Sequence, residues 1–262
     1  MYDFKYQRAS SQADAKEKFS TADDPRYLAG GMTLVPVLKQ RLDNPSDIVD
    51  LSDLDDLKEI TKEGDGIRVG AMCSHHNVNI SELVIKEIPA LAKLAGTIGD
   101  PMVRNRGTIG GSLANNDPAA SYPSAVLGLN ASITTDKRTI NADDFFLGMF
   151  ETALEEGELI TSVLFPIPEI AGYQHFPNPA SRYPIVGAFV AKTAGKVRVG
   201  ITGAGPCAYR ETQFEEAWAD GSLDPQKIID IKLPSDGLNS DIHASAEYRA
   251  HLVNVMARRA IS

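Results

Sequence analysis

Two glycine pairs, each close to a hydroxyl side chain, constrain the fold of this chain more than any other feature. Gly30-Gly31 ends an apolar segment and is followed by Thr33, and Gly110-Gly111 is followed directly by Ser112. Glycine has no Cβ and adopts positive φ freely, so bare amide groups at such turns can surround an anion. An isolated Gly-Gly pair is more often a tight turn or a helix cap. Two pairs with one pattern favour a phosphate-binding site.

The segments around the two pairs are predicted to differ. Arg26–Ala29 has strand character, and Thr33 is a candidate N-cap for a helix that ends before Asp43. The second pair lies within Gly96–Asp117, where the apolar periodicity fails, and the length of this segment predicts a binding loop. Pro118 is then predicted to lie in the first turn of another helix.

The sequence Pro166-Ile167-Pro168 is the predicted domain boundary, because prolines on both sides of one residue leave little room for regular structure. We expect residues 1–166 to form one domain with subdomains of about 1–53 and 54–166. Residues 167–262 are predicted to form an α+β domain with a three-stranded sheet and a layer of helices. The strands of this sheet are predicted at Tyr173–Phe176, Ile185–Ala191 and Val197–Thr202.

Charge and cysteine content argue against several classes of protein. The chain has 26 Lys and Arg against 35 Asp and Glu, a net charge of −9, so we expect no nucleic-acid partner. Cys73 and Cys207 lie far apart and cannot supply the four ligands of an iron–sulfur cluster or a zinc site. No apolar leader and no run of roughly 18 apolar residues occurs, which predicts no membrane span and a cytoplasmic location.

Two further motifs are weaker candidates. Cys73, His75 and His76 carry metal-ligating side chains, but their spacing lacks the paired geometry of a zinc site. Gly203–Ala208 formally fits the Gly-x-Gly-x-x-Ala fingerprint of dinucleotide binding. However, Pro206 follows its second glycine, and no strand with an acidic residue follows at about 20 residues. We therefore expect a turn there and no metal site.

Several segments, in order along nearly the whole chain, carry a resemblance to one family. They are Tyr27–Pro36, Val69–Met72, Arg104–Ala120, Gly157–Thr161 and Asn178–Tyr183. The chain resembles the FAD-binding medium subunit of molybdenum hydroxylases. That family includes the carbon monoxide dehydrogenase medium subunit and the xanthine dehydrogenase FAD subunit.

The resemblance implies an α+β fold. Its parts are a two-subdomain FAD-binding fold of the vanillyl-alcohol-oxidase (PCMH) type and a C-terminal domain of the carbon monoxide dehydrogenase flavoprotein type. Both glycine loops would contact the FAD pyrophosphate, whose oxygens accept bonds from amides and hydroxyls. The implied contacts are Ala29, Gly30, Gly31, Met32, Thr33 and Leu34 in the first loop and Thr108, Ile109, Gly110, Gly111 and Ser112 in the second.

The resemblance also implies contacts nearer to the flavin. Asp117 would accept bonds from the ribityl hydroxyls, although Asp before proline also suits a helix N-cap. Ser121 stands where many relatives carry an aspartate, and its hydroxyl can still form a hydrogen bond. The backbone of Ile160 would pair with the pyrimidine edge, and the residue fits a core strand equally well. Tyr183 would lie near the isoalloxazine or serve as a packing residue.

The function implied by the resemblance is electron transfer, with no catalytic side chain in this chain. FAD would take electrons from the [2Fe-2S] clusters of a small partner subunit and pass them to an external acceptor. A molybdenum-cofactor large subunit would hydroxylate the substrate, and two such heterotrimers would form a dimer. The alternatives are a self-contained FAD-dependent oxidase, for which no acid–base constellation presents itself, and a non-catalytic scaffold subunit, which would be expected to have damaged glycine loops.

Overall fold

The N-terminal part of the chain forms a small parallel sheet. A computed structural model describes residues 1–262. The strands run in the order β1-β3-β2, and both pairs are parallel, so each connection needs a helical crossover. The elements are β1 (Lys5–Arg8), α1 (Gln12–Ser20), β2 (Pro25–Leu28), α2 (Leu34–Lys39) and β3 (Asp47–Asp50).

The central part consists of an antiparallel five-stranded sheet and a group of short helices. In chain order its elements are β4 (Ile60–Glu63), β5 (Gly66–Gly70), α3 (His75–Ile80), α4 (Glu82–Glu87), α5 (Pro89–Thr97), α6 (Pro101–Arg106), α7 (Ile109–Asn115), α8 (Tyr122–Gly128), β6 (Ser132–Thr135), β7 (Thr139–Asn141), α9 (Ala142–Phe145), β8 (Phe146–Gly148), β9 (Glu151–Thr152) and β10 (Ile160–Pro166). The sheet order is β4-β5-β10-β6-β7, and β8 and β9 form a separate hairpin.

The C-terminal part is a second antiparallel sheet with helices. Its elements are β11 (Ile170–Pro177), β12 (Pro184–Thr193), β13 (Lys196–Thr202), β14 (Tyr209–Arg210), α10 (Thr212–Ala217), a 3-10 turn (Pro225–Ile228) and α11 (Ala246–Ala260). The three predicted strands are present, but the sheet has a fourth, β14, which pairs with β13. Two residues are too few for an alternating pattern to reveal a strand. No helix combines the length and apolar character that crossing a bilayer requires.

The C-terminal sheet is covered on both faces, which explains the continuous apolar run of β12. Successive side chains of a strand point to opposite faces. Phe189 and Ala191 join the large core that the central sheet and helices share, whereas Val186 and Val190 pack with α11. The domain boundary at residue 166 stays a prediction, and the large core contains residues from both sides of it.

The expectation of a long loop at Gly96–Asp117 is wrong. The segment contains α6 and α7, each of which begins at a side-chain cap. The Asp100 carboxylate accepts from the N–H of Val103, and the Thr108 hydroxyl accepts from the N–H of Gly111. These helices have only six and seven residues, and the glycines and charged residues within them hide the apolar periodicity.

The expectation that Pro118 opens a helix is also wrong. The next helix, α8, begins only at Tyr122. Pro118 lies in a turn, where the N–H of Ala119 donates to the Asp117 carboxylate and the N–H of Ala120 donates to the Asp117 carbonyl. Asp117 is therefore a turn residue rather than a helix N-cap.

Candidate functional site

One cleft of about 670 Å³ brings together residues from all three parts of the chain. Its volume is in the range of cofactor sites. Ile109 is the one predicted contact that does not line it, because its side chain is fully buried in the large core. The others all do, namely Ala29, Gly30, Gly31, Met32, Thr33, Leu34, Thr108, Gly110, Gly111, Ser112, Asp117, Ser121, Ile160 and Tyr183.

The first glycine loop presents a row of free hydrogen-bond donors. None of the five amide groups of Gly30–Leu34 donates to an acceptor within the chain. The carbonyls of Gly31 and Thr33 instead accept from the first turns of α2. Gly31 has φ +74°, which glycine adopts without strain. The loop therefore carries five consecutive N–H groups on the wall of the cleft.

The Thr33 hydroxyl does not cap α2. Thr33 occupies the N-cap position, but its backbone is near the helical region and its side chain makes no capping bond. An N-cap residue normally has extended backbone angles, which direct its oxygen at the first turn. Thr33 thus has the predicted N-cap position, but its hydroxyl does not form the predicted capping bond. The exposed hydroxyl is left available on the cleft wall.

Gly30 is required by packing between the two loops. A Cβ on Gly30 would lie 2.0 Å from the carbonyl oxygen of Arg106 and 2.8 Å from the Cα of Gly107. A Cβ on Gly107 would in turn lie 2.6 Å from Nε2 of His75. The backbone of the first loop therefore rests on the residues that lead into the second.

The second glycine loop uses four of its five amides within the chain, and only the N–H of Thr108 has no acceptor there. The N–H groups of Ile109 and Gly110 donate to the carbonyls of Cys73 (3.1 Å) and Ala71 (2.8 Å). Those of Gly111 and Ser112 donate to the Thr108 hydroxyl (3.2 Å) and carbonyl (3.0 Å). The expectation of a row of bare amides therefore holds only for the first loop, since the second has a single free N–H at Thr108.

The two glycines of the second loop have different neighbours. A Cβ on Gly110 would lie 2.7 Å from the Cβ of Ala71, so this glycine allows α7 to pack against the end of β5. At Gly111 the nearest atoms would be the Thr108 hydroxyl at 3.0 Å and the Ala29 Cβ at 3.5 Å. A Cβ at Gly111 would therefore meet one side-chain oxygen closely and no backbone atom, unlike a Cβ at Gly110.

The cleft wall also carries polar groups from two parts of the chain, Asp117 and Ser121 from the central part and Tyr183 from the C-terminal part. One carboxylate oxygen of Asp117 accepts from Ala119 at 2.8 Å, and the other has no partner in the chain. Ser121 is buried at the start of α8. Tyr183 comes from the loop between β11 and β12, and burial, with Asp117 and Asp100 nearby, raises its pKa. Tyr183 and Asp117 thus line the same cleft although 66 positions separate them.

Ile160 opens β10 beside the cleft. It pairs with Thr135 of β6 on one side, with a register shift directly after it. On the other side β5 ends at Gly70, opposite Ser162, so Ile160 has no residue of β5 beside it. Its side chain is 4% exposed and belongs to the core. Ile160 therefore has a backbone edge without a strand neighbour, while its side chain packs in the core.

His75 is a cleft residue, although its sequence context singled it out only as a weak candidate metal ligand. It begins α3 after the Ser74 cap, is 5% exposed, and its ring lies 5.4 Å from that of Tyr122. Its Nδ1 is buried without a hydrogen-bond partner. Burial, reinforced by Arg104, lowers its pKa to about 4, so the imidazole is neutral at pH 7. No three His, Cys, Asp or Glu side chains come together as a metal site.

Glu158 is a second cleft residue that the sequence pattern did not single out. Its carboxylate accepts from Arg138 Nε and Nη2 at 3.0 Å and from the Thr135 hydroxyl at 2.7 Å. The Arg138 hydrogen bonds are the main cause that lowers its pKa to about 2. This carboxylate is held in its charged form, and it ties the segment before β10 to Arg138 and Thr135.

Comparison with known proteins gives a consistent result. The family described as FAD binding domain in molybdopterin dehydrogenase matches residues 2–168. The nicotine 6-hydroxylase medium subunit of Paenarthrobacter nicotinovorans is 36% identical, over 98% of this chain and 95% of that protein. The carbon monoxide dehydrogenase medium chain of Afipia carboxidovorans is 31% identical, over 98% and 95%.

Solved structures are similar over almost the full length. Carbon monoxide dehydrogenase from Oligotropha carboxidovorans superposes with a TM-score of 0.91 at 31% identity, covering 99% of this chain and 96% of that one. Quinoline 2-oxidoreductase from Pseudomonas putida 86 gives 0.90 at 29% identity, covering 99% and 95%. This similarity confirms the expected fold class.

Proposed function

Because this chain belongs to the family of FAD-binding domains in molybdopterin dehydrogenases, we propose that it is the electron-transfer subunit of a molybdenum hydroxylase complex. It is an oxidoreductase subunit of the carbon monoxide dehydrogenase type, and its cofactor is FAD, as the resemblance implied. We propose below which residues contact the cofactor and which route the electrons take.

The observation that carries the proposal is the row of free amides at Gly30–Leu34. A pyrophosphate offers only acceptor oxygens, and these N–H groups have no competing acceptor in the chain. Arg26 also lines the cleft, but Asp24 and Asp43 already pair with its guanidinium. Recognition of the phosphates therefore falls to backbone donors, with the Thr33 and Ser112 hydroxyls beside them.

The remaining contacts are assigned by the chemistry of the polar groups at Asp117, Ser121 and Tyr183. The partnerless oxygen of Asp117 is an acceptor for ribityl hydroxyls, and the buried Ser121 lies close by. We assign the isoalloxazine to the region of Tyr183 and the backbone edge of Ile160. Bound there, FAD supplies the electron relay between an iron–sulfur donor and an external acceptor.

The proposed partners follow from the relatives, which are medium subunits and chains of multi-subunit enzymes. We propose a small [2Fe-2S] subunit as the electron donor, a molybdenum-cofactor large subunit as the site of hydroxylation, and a dimer of these heterotrimers. Within this chain, Cys73 is buried with its thiol directed at the Lys58 carbonyl, and Cys207 is half-buried elsewhere. The cytoplasmic location stays a prediction.

A titration of the full chain tests the cofactor site. The flavin-free protein is mixed with FAD or with FMN, and binding is followed by calorimetry and by the oxidised-flavin absorption spectrum. FMN has no pyrophosphate, so we expect it to bind at least about 100-fold more weakly, a difference of about 2.7 kcal/mol. Equal affinity for the two flavins would contradict the assignment of Gly30–Leu34 to the pyrophosphate.

Reduction of the FAD-loaded chain tests the division of labour. We expect dithionite to bleach the flavin, and the substrate of the parent complex to leave it oxidised. Adding the small and large subunits together should restore bleaching by substrate, and omitting the small subunit should abolish it. Direct reduction of the chain alone by substrate, at the rate of turnover, would favour the self-contained oxidase.

A further inference from the structure

We propose that Thr202, at the end of β13, is a positioning residue for the flavin end of the cleft. Its hydroxyl holds the turn Asp117–Ser121 from the C-terminal sheet and so sets where Asp117 and Ala120 stand. The proposal rests on the function proposed above, because it assigns this turn to the flavin side of the FAD site.

Thr202 touches the turn through its side chain. It is fully buried, and its hydroxyl lies 2.5 Å from the carbonyl oxygen of Ala120 and 3.1 Å from that of Pro118. The next residue, Gly203, donates its N–H to the Pro118 carbonyl at 2.8 Å. The Ala120 carbonyl has no other donor in the chain, so this contact depends on the Thr202 hydroxyl alone.

The turn itself has little internal structure. Asp117 accepts from Ala119 and Ala120, and the Ser121 carbonyl accepts from the N–H and hydroxyl of Ser124 in α8, but no bond joins Pro118, Ala119 or Ala120 to the rest of the central part. Its cleft-lining residues include Asp117, Ala119 and Ala120. A segment without regular structure keeps one position only when its neighbours hold it. Ser124 holds the end of the turn at Ser121, and Thr202 and Gly203 hold its middle at Pro118 and Ala120.

The C-terminal sheet is rigid enough to serve as that support. A Cβ on Gly200 of β13 would lie 2.0 Å from the Ser124 carbonyl oxygen, so the strand and α8 are in backbone contact. Arg249 of α11, 4% exposed, donates to the carbonyls of Gly203 (2.9 Å) and Ile185 (2.6 Å) and to Asp241 (2.7 Å). A continuous chain of contacts therefore runs from α11 through Gly203 to the cleft wall.

Thr202→Val tests the proposal, because valine keeps the shape and removes the hydroxyl. The matched control is Thr193→Val, since Thr193 ends the neighbouring strand β12 with a buried hydroxyl that has no partner. Thr202→Ser keeps the hydroxyl and should behave as wild type. Each full-length variant is measured for its FAD dissociation constant, flavin absorption maxima and flavin midpoint potential, and its fold is checked by circular dichroism.

We expect Thr202→Val to raise the FAD dissociation constant about 10-fold, because the Ala120 carbonyl loses its donor. The absorption maxima and the midpoint potential should shift as well, and both should remain at wild-type values in Thr202→Ser and Thr193→Val. A folded Thr202→Val protein with wild-type affinity, spectrum and potential would overturn the proposal. So would a variant that loses thermal stability while these three properties stay unchanged.

Two precautions keep the outcome decisive. If Thr202→Val does not fold, Thr202→Ala replaces it, because that change only removes atoms and cannot overfill the site. The same measurements then decide between the same two results. The wild-type protein is titrated with FAD first, so a failure of the proposed cofactor site is seen before any variant is interpreted.

Discussion

The two glycine loops have nearly the same sequence pattern and use their backbone in opposite ways. In Gly30–Leu34 all five amides are free of acceptors within the chain. In Ile109–Ser112 all four amides donate to the chain itself, two of them to the strand end at Ala71 and Cys73. The first loop offers donors to a ligand, and the second uses its donors to fix its own helix.

The difference arises in part from the threonine that flanks each pair, and in part from the carbonyls of Ala71 and Cys73, which accept from the second loop only. Thr108 has the extended backbone of an N-cap, and its hydroxyl closes the first turn of α7. Thr33 has a near-helical backbone, and its hydroxyl forms no capping bond with α2. A Gly-Gly pair therefore indicates that other atoms come close to the backbone. The neighbouring elements decide whether those atoms belong to a ligand or to the protein.

The largest expected effect concerns the contact that joins the loops. We expect Gly30→Ala to abolish FAD retention and to lower the free energy of unfolding by about 3 kcal/mol or more, because the new Cβ would lie 2.0 Å from the Arg106 carbonyl oxygen. Thermal unfolding measures the loss of stability, and the flavin content of the purified variant measures FAD retention. Gly111→Ala is the matched control, with its nearest neighbours at 3.0 Å and 3.5 Å. Equal effects of the two substitutions would remove the distinction between the loops.

The second expected effect concerns His75, whose backbone N–H donates to the Gly107 carbonyl beneath Gly30. Its pKa in the folded chain is about 4, against an ordinary 6.5. As the pH falls below 6.5 the unfolded chain takes up a proton that the folded chain does not. Stability should therefore fall by about 2 kcal/mol between pH 6.5 and pH 4.5. Carboxylates whose pKa is lowered in the folded chain, such as Glu158, lose most of their contribution to stability only below this pH range.

Denaturant unfolding at several pH values between 6.5 and 4.5 measures this dependence. We expect His75→Gln to flatten it, because glutamine does not titrate. The exposed neighbour His76 provides the control, and His76→Gln should keep the wild-type slope. A slope that survives in His75→Gln would show that another group carries the pH dependence.

Amide hydrogen exchange should sharpen the comparison residue by residue. Without FAD we expect Gly30–Leu34 to exchange rapidly and Ile109–Ser112 to be protected, because only the second set is hydrogen-bonded. Saturating FAD should slow the first set by about 100-fold, close to 2.7 kcal/mol, and leave the second nearly unchanged. The reverse pattern would place the pyrophosphate on the second loop.

The smallest expected effect separates the two threonines. Thr108→Val removes a helix cap and should lower the free energy of unfolding by about 1 kcal/mol. Thr33→Val removes no internal bond, so stability should change by less than about 0.5 kcal/mol, while FAD affinity falls about 5-fold. Serine at either position is the control. A loss of stability in Thr33→Val would assign its hydroxyl to the fold.

Much of the fold could be predicted because long apolar patterns are local. The strand at Ile160–Pro166 and the hairpin strands β12 and β13 follow from runs of apolar and β-branched residues. The helices α6 and α7 could not be predicted, because they are short and depend on caps at Asp100 and Thr108. The two-residue strand β14 has no pattern of its own and exists through its pairing with β13.

The site was predicted in the same uneven way. The glycine motifs identified both loops, and the structure brings them together in one cleft. Ile109 stays a predicted contact, but its side chain lies in the core and not on the cleft wall, because a position in a motif says nothing of which way a side chain packs. His75 was missed as a cleft residue, since burial and the loss of a hydrogen-bond partner at Nδ1 come from contacts with distant segments.

The sequence by itself determined the family, the cofactor and the two backbone loops, because glycine, threonine and serine in fixed order constrain the local backbone wherever they occur. Tertiary structure decided which loop keeps its amides free and which donates them to the protein. It also placed Thr202, more than eighty positions away, on the carbonyls beside Asp117. Hydrogen bonds between distant segments form only after the sheets and helices pack, so no local pattern encodes them.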